Sequence, residues 1–470
     1  MAAESKTRTE RDSMGAMEVP ADAYYGASTR RAQLNFPISD LRFSSSFIRA
    51  LALIKLAAAR VNHGLGLLDG EIGKAIEEAA REVSDGKLDD QFVVDVFQTG
   101  SGTSTNTNAN EVIAKRAREI APSVNVHPND HVNMAQSSND VIPTASHLAV
   151  AKVINDELLP ALAEAQGTLA AKASAFWDII KTGRTHLQDA TPIRLGQVFQ
   201  GYASQLELAQ ERLRPHVDAL AEVALGGTAV GTGINAHEEF SAKVCAILAE
   251  EMGIDVRETA HHFQAQNTQD TMLAASGALR GAAVSLQKIA NDLRFLSSGP
   301  RAGIAEIELP TVQPGSSIMP GKVNPVIPES VVQVVCQVIG NDAAVNASAM
   351  GGFFELNTYW PVALYNLHQS ASLLAASTKN FDIQCLQGIT ATERGPAMVE
   401  QGLMMATGLT PALGYDRATA IAKAAAAQGV TIRELAKAEA GLTDAQLDVL
   451  LDPTRMTAPG IVEGGGGGGG

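Results

Sequence analysis

Residues 279–296 read LRGAAVSLQKIANDLRFL, and this stretch decides the fold class. A seven-residue apolar repeat is typical of a long helix that packs lengthwise against other helices. Gly299 and Pro300 then end the predicted helix, because proline cannot continue it. Six apolar residues form the repeating seam: Leu279, Ala282, Leu286, Ile289, Leu293 and Leu296.

Similar helices are predicted on both sides of this stretch, over residues 196–223, 236–252 and 329–340, the last with Pro328 at its start. Hydrophobic residues form 45% of the chain but aromatic residues only 4%, so the core must consist of Ala, Leu, Ile and Val. Ala and Leu lead the helix propensity scale. We therefore expect a mainly α fold built on a long helical bundle.

The length of 470 residues exceeds what one hydrophobic core organises and predicts more than one domain. The glycine run near the end is of low complexity and is expected to be disordered. We predict four parts: a mixed, mostly helical N-terminal domain over 1–136, a central long-helix domain over 137–392, a small helical domain over 393–463 and the glycine tail over 464–470.

The charge and the cysteine content of the chain limit the functions and the cellular compartment that can be expected. The formal net charge of −15 argues against nucleic-acid binding, which needs a basic surface. Cys245, Cys336 and Cys385 lie far apart without metal-ligand spacing, so we expect a reducing compartment. The N-terminal residues lack a secretory pattern, and no stretch is long and apolar enough to span a membrane. These features predict a cytoplasmic protein.

Four polar clusters lie between the apolar helices, and the first is TGSGTS at residues 99–104. Alternate glycines let backbone N–H groups approach an anion, and Ser101 and Thr103 add uncharged donors. The alternative interpretation is a flexible turn that caps a helix starting near Asn110. The cluster lacks the Lys and the flanking strand of nucleotide-binding loops, so it predicts no nucleotide site.

The second cluster comprises HPND at residues 127–130 and QSSND at residues 136–140. Ser137, Ser138 and Asn139 are successive small donors ahead of a helix, whose dipole favours negative charge. A plain N-cap cluster explains the same residues equally well.

The third cluster, GRTHLQD at residues 183–189, contains His186, which is either a structural histidine or a group poised for proton transfer near neutral pH. The fourth, GSSIMPGKVNP at residues 315–325, has two glycines and two prolines, which is typical of an active-site lid. It carries the donors Ser316 and Lys322. A surface connection is the weaker alternative for this loop.

In this order, these clusters resemble the conserved blocks of class II fumarases in the fumarase/aspartase superfamily. The resemblance extends from about residue 12 to about residue 459. Fumarases carry Thr-His where this chain has Thr185 and His186, whereas the similar aspartases usually have Gln there. The loop also has Pro-Gly-Lys, as in fumarases, where aspartases commonly have Pro-Ala-Lys.

The resemblance implies a three-domain, mostly helical subunit that forms a homotetramer around a core of twenty helices. Each active site would take its blocks from three subunits. The implied reaction is the reversible hydration of fumarate to (S)-malate in the tricarboxylic acid cycle, without a metal or an organic cofactor. Argininosuccinate and adenylosuccinate lyases share the serine loop but not the surrounding blocks.

The resemblance also implies roles for individual residues. Ser316 would take the C3 proton of malate, and His186 would act through a water on the hydroxyl group, oriented by Glu329. His127, Pro128, Asn129 and Asp130 would form a second dicarboxylate site, weakened here because Val124 stands where some members have Arg. The implied substrate-binding residues are Ser101, Gly102, Thr103, Ser137, Ser138, Asn139, Thr185, Ser317, Lys322, Val323 and Asn324.

Two other functions remain open at this point. An aspartate ammonia-lyase would release ammonia from the same four-carbon skeleton. A non-catalytic scaffold is the second, since the superfamily includes lens proteins that kept the fold. Intact Ser316, His186, Lys322 and Asn324 argue against the scaffold.

Overall fold

The computed structural model describes residues 6–460, and over that range the chain is mainly helical, as predicted. The glycine tail predicted for residues 464–470 lies outside the described residues. The helices are α1 (Ala27–Asn35), α2 (Ser45–Gly64), α3 (Gly70–Ser84), α4 (Thr103–Ile120), α5 (Ser138–Val153), α6 (Leu159–Ala175), α7 (Leu195–Leu220), α8 (Phe240–Met252), α9 (His262–Asn267), α10 (Asp270–Leu296), α11 (Val326–Ala349), α12 (Trp360–Gln384), α13 (Arg394–Val399), α14 (Thr410–Leu413), α15 (Tyr415–Gln428), α16 (Ile432–Glu439) and α17 (Asp444–Leu450).

The strands are short and pair two by two. β3 and β4 are joined antiparallel, with an irregular register between Thr182 and Arg184. The full set is β1 (Thr7–Asp12), β2 (Gly15–Pro20), β3 (Ile180–Thr185), β4 (Gln188–Arg194), β5 (Glu222–Val223), β6 (Arg257–Glu258), β7 (Ile307–Glu308), β8 (Gly352–Phe353), β9 (Leu356–Asn357) and β10 (Thr390–Ala391).

The chain forms two compact units, each assembled from three separate segments. The domain boundaries predicted at residues 136, 392 and 463 stay a prediction. The first unit comprises residues 6–160, Ala209–Val284 and Val334–Ala376, and the second comprises Ala161–Leu208, Ser285–Gln333 and 377–460.

Helix α2 is the centre of the first unit. It packs against α3, α4, α5 and α8, and its apolar residues from Phe47 to Val61 are almost all buried. Ser44 caps the helix by accepting a hydrogen bond from the backbone N–H of Phe47 at 3.4 Å. Lys55 lies among the buried residues of this helix. The first unit is therefore organised around a helix that is buried on most of its faces.

In the second unit, the β3–β4 hairpin is anchored at its base. Ile180 packs against the apolar cluster formed by α15, α16 and their neighbours, which includes Leu409, Ile421 and Leu435. Arg194 Nε donates to Thr457 Oγ1 at 3.1 Å. The opposite end of the hairpin is its two-residue turn, so the base is fixed and the turn projects from it.

The predicted seam of residues 279–296 is confirmed. Its six apolar residues lie on α10 and are no more than 9% exposed. The helix is longer than predicted and begins at Asp270. The helices predicted over 196–223 and 329–340 correspond to α7 and α11, and α11 continues to Ala349.

Two local expectations were wrong. The helix expected near Asn110 begins at Thr103, because Gly102 takes a left-handed conformation that starts it there. Helix α8 begins at Phe240 and not at residue 236, because residues 236–239 form a bend and a turn instead of helix. The third polar cluster lies between α6 and α7, as expected, and forms a β-hairpin.

Candidate functional site

In the first unit, the first and second polar clusters meet through their hydroxyl groups. Ser101 Oγ lies 2.7 Å from Thr103 Oγ1, which in turn lies 2.7 Å from Ser138 Oγ. Asn139 extends the row, since its Oδ1 lies 3.4 Å from Ser138 Oγ. Two clusters that are separate in sequence therefore form one row of neutral hydrogen-bonding side chains. This donor row consists of Ser101, Thr103, Ser138 and Asn139.

Glycines make the approach of the first cluster possible. Gly102 has a φ of 72°, and a Cβ there would lie 2.8 Å from a side-chain carbon of Ile142. Gly100 is tighter still, since a Cβ would lie 1.7 Å from the carbonyl oxygen of Thr358. The carbonyl of Gly100 also accepts a hydrogen bond from the N–H of Trp360 at 3.1 Å. The two glycines of TGSG are thus required by close packing.

A Gly100→Ala substitution is expected to lower the melting temperature by several degrees and to impair activity, because overpacking costs about 1–3 kcal/mol even without a backbone clash. Thermal unfolding followed by circular dichroism measures this effect. Gly64→Ala is the matched control, since no atom lies within 4 Å of a Cβ at that position. Equal melting temperatures for the two variants would contradict the assigned packing.

Ser137 and Asp140 form the start of α5. Ser137 is the N-cap and its Oγ accepts from the backbone N–H of Asn139 at 3.2 Å, so the N-cap interpretation of this cluster is confirmed. The fully buried carboxylate of Asp140 accepts the N–H groups of Ser137, Thr228 and Gly226 at 2.9, 2.9 and 3.1 Å. Burial raises the pKa of Asp140, which these amides oppose. Because Ser137 forms the cap, the hydroxyl of the neighbouring Ser138 is available for the contact with Thr103 in the donor row.

The donor row lies at the first turns of two long helices. Thr103 is the first residue of α4, and Ser138 is the first residue of α5. Helix N-termini expose unpaired backbone N–H groups and the positive end of the helix dipole. Together with the hydroxyls, they form an environment that suits a carboxylate.

In the second unit, His186 lies at the tip of the β3–β4 hairpin. His186 and Leu187 are the two turn residues, with φ values of 56° and 62°. Both central residues of this hairpin turn need positive φ, which normally selects Asn and Gly. A histidine and a leucine held there store strain of about 1–2 kcal/mol each, and such strain concentrates at functional sites. Thr185 and His186 are both exposed in the single chain.

A buried ion cluster fixes the strand that leads to His186. Glu306 Oε1 accepts a hydrogen bond from Arg184 Nη2 at 2.8 Å, and Glu306 Oε2 forms an ion pair with Lys181 Nζ at 3.0 Å. The Lys181 and Glu306 side chains are 4% and 3% exposed. Burial lowers the pKa of Lys181, and the nearby Glu306 opposes that shift. A hairpin anchored in this way holds its turn residues in a defined place.

The fourth cluster is an irregular loop closed on itself. The N–H of Gly315 donates to the carbonyl of Lys322 at 2.9 Å, and Asn324 Nδ2 donates to the carbonyl of Gly315 at 2.6 Å. Lys322 Nζ donates to Asn324 Oδ1 at 2.8 Å. The loop is therefore a shaped unit in spite of lacking helix or strand.

Within this loop, Ser316 is the acceptor of two backbone amides. Its Oγ accepts from the N–H of Ile318 at 3.2 Å and of Met319 at 2.8 Å. Ser317 and Val323 are exposed, and Ile318 is 83% exposed. Glu329 follows the loop in the first turn of α11. The loop thus presents polar groups beside an uncovered apolar tip.

The predicted proton-transfer residues are not joined within one chain. Over residues 6–460, no hydrogen bond or ion pair links His186 to Ser316, Lys322 or Glu329. His186 lies at the hairpin turn, Ser316 and Lys322 lie on the same loop, and Glu329 lies at the start of α11. Within the described residues, these elements are therefore not joined through the predicted proton-transfer groups.

The predicted second dicarboxylate site lies at a short π-helical turn, Pro128–Val132. His127 precedes the turn and its Nδ1 accepts from the N–H of Asp130 at 3.1 Å. The side chains of His127 and Asp130 are 48% and 75% exposed. Pro128 and Asn129 form the start of the turn, so the predicted residues are adjacent at the surface.

Sequence reasoning missed one residue next to the donor row. Lys55 is completely buried, and its Nζ donates to Asn106 and Asn133, which lie beside the first two polar clusters. The sequence does contain an indication of this residue, since ALALIKLAAA at residues 50–59 has one lysine within an apolar helical stretch. An ionisable residue in such a run points to a polar partner.

The described residues form neither a membrane-spanning helix nor a cluster of metal ligands. No helix within residues 6–460 is long and apolar enough to cross a membrane. In the same range, no group of three or more His, Cys, Asp or Glu residues is placed to hold a metal ion. The expectation of a reaction without a metal or cofactor stays a prediction.

Comparisons with known proteins give matches over most of the chain. A family profile described as Lyase matches residues 15–340, and one described as Fumarase C C-terminus matches residues 405–458. The chain is 52% identical over 463 residues to a protein of Halobacterium salinarum named fumarate hydratase class II, covering 97% of this chain and 98% of the relative. A protein of the same name from Nitrosomonas europaea is 50% identical, covering 96% and 99%. The crystal structure of a class II fumarase from Schistosoma mansoni matches with a TM-score of 0.93 at 36% identity, covering 96% of this chain and 99% of that one.

Proposed function

Because this chain belongs to the class II fumarate hydratase family, we propose that Ser316 and His186 carry the proton transfers by which it hydrates fumarate to (S)-malate. The enzyme is a hydro-lyase of the carbon–oxygen lyases. The observation that carries this function is identity of about half of all residues over nearly the whole length of curated relatives.

The chemistry sets three requirements. In the malate-to-fumarate direction, a base must remove a proton from C3, an acid must assist departure of hydroxide from C2, and donors must stabilise charge on the neighbouring carboxylate. The intermediate is an aci-carboxylate, in which the C3 electron pair is delocalised onto that carboxylate. In the hydration direction the same groups act in reverse.

Ser316 is proposed as the base at C3. A serine hydroxyl is a weak base, so its alkoxide must be stabilised by fixed donors. The amides of Ile318 and Met319, which donate to Ser316 Oγ, would stabilise the negative charge on that oxygen. Lys322 adds a positive charge within the same loop.

His186 is proposed to act through a water molecule on the hydroxyl side. Its position at a strained turn, with the preceding strand fixed by Glu306, supports a role that requires accurate placement. Glu329 is proposed to orient the imidazole from another subunit. An imidazole with a carboxylate partner is suited to donating and accepting a proton near neutral pH.

The substrate carboxylates are proposed to bind to neutral donors and one lysine. The row formed by Ser101, Thr103, Ser138 and Asn139 would bind one carboxylate at the starts of α4 and α5. These donors let a protein with a net charge of −15 bind a dianion. The remaining residues proposed to bind substrate are Gly102, Ser137, Thr185, Ser317, Lys322, Val323 and Asn324.

We propose a homotetramer whose active sites combine residues of three subunits. Support comes from large apolar side chains that remain exposed on the long helices of the single chain: Leu208, Val284, Phe295, Ile339 and Ile383. Exposed apolar side chains along long helices are expected where such helices pack against another copy. Light scattering after gel filtration should give four times the mass of one chain. A stable monomer with full activity would contradict this proposal.

The remaining proposals concern location and the second site. We propose that the enzyme acts in the cytoplasm, in the tricarboxylic acid cycle, where the free thiols Cys245, Cys336 and Cys385 would stay reduced. The turn at His127 and Asp130 is proposed as a second dicarboxylate site. Its affinity should be low, because Val124 supplies no positive charge there.

An ultraviolet assay with three substrates tests the function. Fumarate absorbance should appear on addition of (S)-malate and should not appear with aspartate or argininosuccinate. Formation of fumarate from aspartate would favour the ammonia-lyase alternative. A folded protein that acts on none of the three would favour the non-catalytic scaffold.

A further inference from the structure

A lysine that the proposed mechanism does not use lies fully buried in the first unit. Lys55 lies near the middle of α2, and none of its surface is exposed. Its Nζ donates to Asn106 Oδ1 at 2.8 Å, to Asn133 Oδ1 at 2.9 Å and to Gln136 Oε1 at 3.0 Å. An ammonium group has three donors, so all of them are used. All three acceptors are neutral amide oxygens.

The charge of Lys55 is costly to bury. Burial lowers the pKa of Lys55 to about 7, and the charge of Asp140 opposes that shift. Asp140 affects Lys55 through its electrostatic field and not through a hydrogen bond, because its carboxylate is bound to backbone amides. A methionine would fill similar space without the desolvation penalty. Packing alone therefore does not account for a lysine at this position.

The amides that hold Lys55 connect it to both halves of the donor row. Asn106 Nδ2 donates to Asn133 Oδ1 at 3.1 Å, and Asn133 Nδ2 donates to the carbonyl of Gln136 at 3.0 Å. Asn106 lies in the first turn of α4, and Gln136 directly precedes the N-cap of α5. Lys55 thereby ties the start of α4 to the start of α5.

We propose that Lys55 is a positioning residue for the hydration reaction, whose ammonium group fixes the starts of α4 and α5 and supplies positive potential to the carboxylate bound there. This inference rests on the proposed function. Thr103 and Ser138 meet across this junction, so a shift of either helix start would separate their hydroxyls. In its protonated form, this buried ammonium group also offsets the repulsion between a dianion and a protein with a net charge of −15.

Lys55→Met removes both the charge and the three hydrogen bonds. Its KM for (S)-malate should rise at least about tenfold with a smaller change in kcat, as when a supporting partner of a ligand site is lost. Steady-state kinetics and thermal unfolding are measured together. The control is Lys152→Met, which removes a lysine from the far end of α5, where its Nζ donates to the carbonyl of Met252. This control should keep the wild-type KM.

Asn106→Asp separates the electrostatic role from a purely structural one, and it decides the question if Lys55→Met does not fold. It keeps the ammonium group and places a carboxylate against it. The hydrogen bond from Asn106 Nδ2 to Asn133 Oδ1 is lost, but an ion pair with Lys55 replaces the amide contact and cancels the positive potential. The KM for malate should rise while the melting temperature stays at or above the wild-type value. An unchanged KM in this folded variant overturns the role of Lys55 and leaves the proposed function intact. A wild-type protein that does not hydrate fumarate overturns the proposed function itself.

Discussion

Ser316→Ala is expected to lower kcat at least about a hundredfold, because general acid–base groups contribute factors of that size. The substitution removes the atom proposed to accept the C3 proton, while the loop keeps its closure between Gly315 and Lys322. Initial rates of fumarate formation at saturating (S)-malate measure the effect. The KM should change less than kcat, because the binding donors remain in place.

The matched control for this prediction is Ser297→Ala. Its hydroxyl only donates to the carbonyl of Arg294, near the end of α10, and it has no proposed part in the reaction. This variant should keep wild-type turnover and show that loss of a serine hydroxyl alone is harmless. Near-normal activity of Ser316→Ala would reject serine as the base.

His186→Asn is expected to reduce kcat by at least about a hundredfold as well, since asparagine keeps a polar side chain but cannot transfer a proton near neutral pH. Asparagine also tolerates positive φ, so the turn conformation should persist. Stopped-time assays in both directions should show equal losses, because the same group acts in hydration and dehydration.

His63→Asn serves as the control for the histidine. His63 is an exposed residue near the end of α2, where its ring lies 3.4 Å from the carbonyl of Leu68. This variant should retain wild-type kcat. If His186→Asn did the same, the imidazole would have no place in proton transfer, and the strained turn would need another explanation.

The sequence was sufficient to predict the long helices, because their apolar residues repeat regularly within one segment. The seam from Leu279 to Leu296 spans several turns of one helix, and all six of its residues are buried as expected. Ends of elements were less predictable. The start of α4 at Thr103 depends on Gly102, which takes a left-handed conformation and lies so close to Ile142 that a Cβ would be 2.8 Å from its side chain.

The candidate site likewise combines features that depend on the local sequence with features that depend on contacts between distant segments. Ser316 and His186 can be recognised as candidate site residues from their motifs. The hairpin that carries His186 could not be predicted, because its turn lacks the Asn-Gly pair that is typical of this turn geometry. The meeting of Thr103 with Ser138 and the burial of Lys55 depend on tertiary packing. Periodicity in one segment carries no information about such contacts.

The most direct test of a site shared between subunits is the activity of mixed tetramers. Ser316→Ala and His186→Asn chains, each inactive alone, are expressed together and purified as hybrids through two different affinity tags. If Ser316 and His186 of one site come from different subunits, random mixing should restore roughly a quarter of the wild-type turnover, since both partners are intact at that fraction of sites. Hybrids as inactive as their parents would contradict the account.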